Sequence, residues 1–92
     1  MTQQYIVGEF SSLLAELQPA PDARLGGAAN QLRREVEVSP PALLPQLARE
    51  AIQLTETMCW VDLERGDVGG FCRHAKTASA LRDFTASASL LP

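Results

Sequence analysis

The stretch PQLAREAIQLTETMCWVDLERGD, residues 45–67, decides the fold. Advancing each residue by 100° sets Leu47, Ala51, Ile52, Leu54, Met58, Cys59, Val61 and Leu63 on one apolar arc of about 200°. That periodicity predicts a helix over 45–64, and Pro45 suits its first turn, where the missing N–H would be unpaired anyway. An arc this wide needs two neighbours to cover it, which places this helix at the centre of the fold. Arg65-Gly66-Asp67 then turns the chain, with Gly66 at a C′ position and Asp67 free to cap the next helix.

Downstream, a helix over 67–89 opens with a stripe of Val68, Phe71, Cys72, Ala75 and Ala78. Arg82 stands where that stripe should continue, and Leu81, Phe84, Ala88 and Leu91 lie about 150 to 180° round the axis. Such a pattern requires either a break near Ala80 or a second half that faces another surface. A subunit contact through that second half is the expectation.

Upstream, Ser39-Pro-Pro-Ala-Leu-Leu-Pro45 is a connector. Before it a helix over 22–38, capped by Asp22, carries Leu25, Ala28, Ala29, Leu32 and Val36 on one stripe, with Gly26 and Gly27 off it and its first turns loosened. Pro19 and Pro21 end a first helix over 4–18, whose Ile6, Val7, Phe10, Leu13, Leu14 and Leu17 share an arc of about 120°. No period-2 run long enough for a sheet occurs. The chain is therefore read as one all-α domain over 1–92, either an antiparallel four-helix bundle or helical hairpins completed by dimerisation.

Composition narrows the function classes. The 46% hydrophobic content suits a packed core, but a chain this short buries only about 60 to 65% of its unfolded surface, so a partner surface would help it. The formal charge is −3, with no like-charge block to mark a nucleic-acid arm. Arg33 and Arg34 are adjacent, yet Glu35 and Glu37 beside them would repel phosphates, which argues against DNA binding. No apolar run approaches a membrane span, and the N-terminal residues lack the basic and apolar regions of a secretory signal. A cytoplasmic location is expected. The two cysteines, Cys59 and Cys72, stand at similar distances from Gly66. A disulfide needs a closer approach than packed helices usually allow, so two buried free thiols are predicted.

Few residues suggest chemistry. Cys72 and His74 point about 200° apart on a helix and no second histidine exists, so no metal or cofactor is assigned. His74 is the one group that titrates near neutrality, a candidate base or pH sensor, or a partly buried hydrogen-bonded side chain. Asp62 falls inside the apolar arc and needs a partner, with Arg65 or Arg73 nearest. Trp60 lies on the polar arc, where it would contact a partner or cover a loop such as Pro19–Pro21.

Two functions follow. The first is a non-enzymatic interaction or regulatory module, a homodimer or one bound to a protein partner, with Trp60, Leu81, Phe84 and Leu91 as contacts. No catalytic residue is assigned. The alternative is a small helical enzyme or ligand-binding bundle, its pocket lined by Arg33, Glu56, Asp62, Arg73 and His74 and occupied by a small molecule.

Overall fold

The computed structural model describes residues 3–90, and Leu91, one of the expected contacts, lies outside them. Among the described residues the structure is all-helical. Helix α1 spans Gln3–Ala15, α2 Ala23–Val38, α3 Leu44–Glu64 and α4 Val68–Ser87, with a 3-10 turn at Pro41–Leu43 leading into α3. Helix α1 packs on α2 and α4, α2 also packs on α3, and α3 and α4 share the largest interface. The whole measures 40 × 22 × 18 Å.

Local signals set the helix ends. Helix α1 stops three residues before the predicted Gln18, and its last turn tightens as the N–H groups of Glu16, Leu17 and Gln18 each donate to the carbonyl three residues back, which satisfies among others the Ala15 carbonyl, whose helical donor would have been the N–H that Pro19 lacks. Asp22 Oδ1 accepts from the Leu25 N–H at 2.8 Å and caps α2. Gly26 is buried rather than loose, because Gln18 donates to its carbonyl at 3.1 Å and Ala20 packs against it.

The α3–α4 turn is a Schellman motif. Gly66, at φ +70, donates to Leu63 O at 3.0 Å while Asp67 donates to Asp62 O at 2.9 Å. The positive φ suits glycine, which has no Cβ to clash.

The core is built by Phe10, Leu14 and Leu17 from α1 and its exit, by Leu25, Ala29, Leu32 and Val36 of α2, by Leu44, Leu47, Ala48, Ala51 and Met58 of α3, and by Leu81 and Phe84 of α4. The buried face of α3 spans only about 100°, so Cys59 is half-covered and Leu63 is exposed.

Helix α4 departs most from expectation. It runs unbroken past Ala80, and its buried residues Gly70, His74, Thr77, Ala78, Leu81, Phe84 and Thr85 form one continuous face of about 120°. Leu81 and Phe84, expected as an outward contact surface, are 0% and 5% exposed. The first half of the helix instead turns its apolar stripe away from the core: Val68 is 69% exposed, Cys72 is exposed, and Phe71 and Ala75 are half-buried. Large Leu81 and Phe84 gain more from burial than Val68 and Ala75 would, and because the helix is rigid, docking one half orients the other.

Candidate functional site

Turning that stripe outward leaves a groove of about 360 Å³ on the joint outer surface of α3 and α4. Its walls are Cys59 and Leu63 of α3 and Phe71, Ala75 and Ala78 of α4. Trp60 stands on the rim, 67% exposed. Arg82 also lines the groove, donating to Glu56 Oε1 at 2.9 Å. Both side chains are about half exposed, so the pair adds little stability and serves as a neutral polar border. Burial pushes the Cys59 thiol above its ordinary value, the charges of Asp62 and Glu56 push it further, and Arg82 opposes them. At neutral pH the thiol is protonated and acts as a small apolar wall rather than a nucleophile. Neither cysteine is paired and Cys72 is exposed, which corrects the expected burial of both.

The second site lies on the inward side of the same two helices. His74 Nδ1 is 2.6 Å from Asp62 Oδ2, and Nε2 is 3.3 Å from the Leu17 carbonyl oxygen. His74 and Asp62 are each 1% exposed. Histidine, and neither Arg65 nor Arg73, is thus the partner of Asp62. Arg65 donates instead to the Pro21 carbonyl. Gly70 makes the approach possible, since a Cβ there would lie 2.9 Å from Asp62 Oδ1 and 2.5 Å from Asp67 Oδ2. Asp67 in turn caps α4, accepting from the Gly70 N–H at 2.8 Å. Every buried side-chain nitrogen or oxygen among the described residues has a partner. With both ring nitrogens engaged, His74 presents no lone pair to a substrate, so the couple acts as a structural clamp.

The five residues expected around one pocket fall in three places. Asp62 and His74 meet, and Arg73 lines a cleft of about 200 Å³ beside Asp62, under Pro19–Pro21. Arg33 belongs to another cluster, donating to Ser11 Oγ at 3.1 Å while that hydroxyl donates to Glu37 at 3.0 Å. Glu56 is held by Arg82. Among the described residues no three of His, Cys, Asp and Glu stand together as metal ligands. Asp62 was conspicuous in the sequence as a carboxylate inside an apolar arc, and the Gly70–Thr77–Leu81 spacing around His74 marks it as the other misplaced polar group.

No protein-family model, curated protein or solved structure matches this chain significantly.

Proposed function

We propose that the protein is a non-enzymatic interaction module, a cytoplasmic single-domain antiparallel four-helix bundle that pairs with a second copy of itself through the α3–α4 groove. The observation that carries this reading is Trp60, 67% exposed beside an apolar groove while the core residues are already covered. A large aromatic held in water at the edge of an apolar surface costs free energy that a partner recovers. A two-fold contact needs one patch to bear both the protruding and the receiving shape, and here the Trp60 ridge and the groove adjoin. The Glu56–Arg82 pair leaves the border electrically balanced, so two copies meet without like-charge repulsion.

Light scattering after size exclusion, over a range of concentrations with reductant present, tests this. The expected result is a dimer that Trp60→Glu converts to a folded monomer. A wild-type protein that stays monomeric at every concentration overturns self-pairing. If Trp60→Glu remains dimeric, the contact lies on another face.

A second reading rests on the groove's size, which falls at the lower end of the range of small-molecule sites, about 300 to 1,000 Å³. A thermal-shift screen with apolar ligands separates the two. A hit that Trp60→Glu abolishes favours a ligand.

A further inference from the structure

Helices α1 and α4 share a smaller interface than α1 and α2, α2 and α3, or α3 and α4, and a cleft of about 430 Å³ runs along their outer seam. Tyr5, Glu9 and Leu13 of α1 form one bank, and Ala80, Asp83 and Phe84 of α4 the other. Leu13 and Ala80 are half-buried and Phe84 is nearly covered, so the floor is apolar. Glu9 and Asp83 are exposed, one on each bank.

No lysine or arginine lines this cleft, and among the described residues neither Glu9 nor Asp83 takes part in an ion pair. Arg82, next to Asp83 in the chain, is turned to α3, where it donates to Glu56. Lys76 precedes Asp83 by two turns, about 10 Å along the helix axis. Two like charges across an apolar floor leave a negative potential that draws cations to the seam.

The length of the cleft selects the kind of cation. Tyr5 to Leu13 covers about 12 Å of α1, and Ala80 to the last lining residue, Ser87, about 10 Å of α4. A small ammonium ion would touch only part of that length. An amphipathic helix sets apolar anchors at i, i+3, i+4 and i+7 along two turns, and basic residues bordering its stripe on both sides would meet a carboxylate on each bank.

We propose that the α1–α4 cleft docks a basic amphipathic helix of another protein, with its apolar stripe on Leu13, Ala80 and Phe84 and its cations on Glu9 and Asp83. A second copy of this chain does not match: its formal charge is −3, and its Arg33 and Arg82 already face Glu37 and Glu56. The cleft shares no lining residue with the α3–α4 groove. Docking here is therefore independent of self-pairing.

Fluorescence anisotropy with a labelled leucine–lysine amphipathic peptide tests this, on the wild-type protein and on Trp60→Glu. Both are expected to bind, with amide NMR shifts confined to α1 and α4 around Glu9 and Asp83. Loss of binding in Trp60→Glu would assign the peptide to the α3–α4 groove and overturn the proposal, whereas a wild-type protein that is monomeric yet binds overturns self-pairing alone. Asp83→Lys and Glu9→Lys, both at exposed positions, are each expected to weaken binding about tenfold or more with the circular dichroism spectrum unchanged. Glu50→Lys makes the same charge change in the α2–α3 groove and is expected to weaken binding far less. The proposal fails if the peptide does not bind, if the shifts map elsewhere, or if Glu50→Lys costs as much as Asp83→Lys. It fails too if a serine–lysine peptide of equal charge binds as tightly, or if hexylammonium gives the same shifts at the same concentration, which would assign the cleft to small amines.

Discussion

The Phe10 and Phe84 rings meet with centroids 5.5 Å apart and planes tilted by 52°, joining α1 to the second half of α4. This contact, with fully buried Leu81 one turn earlier, turns α4 so that its large side chains enter the core. Phe84→Ala is expected to destabilise the fold by about 3 to 5 kcal/mol, measured by urea unfolding. Leu81→Asp is expected to abolish folding, because it buries an unpaired carboxylate. A folded, soluble Leu81→Asp protein would contradict the buried placement.

Gly70→Ala probes the packing at the start of α4. The added methyl would meet the carboxylates of Asp62 and Asp67, disturbing the clamp and the cap together. A loss of about 1 to 3 kcal/mol is expected in thermal or chemical unfolding. In an ordinary exposed helix the same change would stabilise, since alanine is the better helix former.

Trp60→Ala bears on the groove. Its large exposure means that truncation should change monomer stability by no more than about 0.5 kcal/mol, while association should fall sharply. Circular dichroism and light scattering read the two effects separately. A large loss of stability in the monomer would show that Trp60 serves the fold.

The two thiols should react differently. Cys72 is exposed, whereas Cys59 is part-covered and its thiol is pushed above its ordinary value by burial and by the charges of Asp62 and Glu56. Alkylation at pH 7 is expected to modify Cys72 first. A thiol raised in the folded state keeps its proton after the unfolded one has lost it, so the contribution of Cys59 to stability is complete below about pH 8.5 and declines as pH rises beyond it. Mass mapping after timed alkylation gives the order, and equal rates would contradict the shielding of Cys59.

Ser89 has φ 56, and the chain closes there as it does at Gly66: Ser89 donates to Ala86 O at 3.1 Å and Leu90 to Thr85 O at 2.9 Å. Left-handed backbone disfavours any residue with a Cβ. Ser89→Gly is therefore expected to stabilise by about 0.5 to 1 kcal/mol, read as a higher Tm.

Helix number and helix ends were legible in the residues themselves, because their causes act over a few positions. Pro19 and Pro21 deny donors to α1, Asp22 and Asp67 supply capping oxygens, and Gly66 accepts a positive φ. The apolar periods of α1 and α2 also led to their buried faces, except that Ala28, expected on the α2 stripe, is exposed and Gly26, expected off it, is buried. Asp62 stood out as a carboxylate needing a partner, and Trp60 as an aromatic on a polar arc. The tertiary structure alone decided which face of α4 is inside. Its apolar stripe and its Gly70–His74–Leu81 face overlap at Ala78, so periodicity offered two inward directions. The choice fell to the packing of Leu81 and Phe84 with α1, across more than sixty residues of chain. The same rotation brought His74 to Asp62 and left Trp60 beside an uncovered groove. Those relationships depend on how two helices are turned against each other, and no spacing within either helix encodes that.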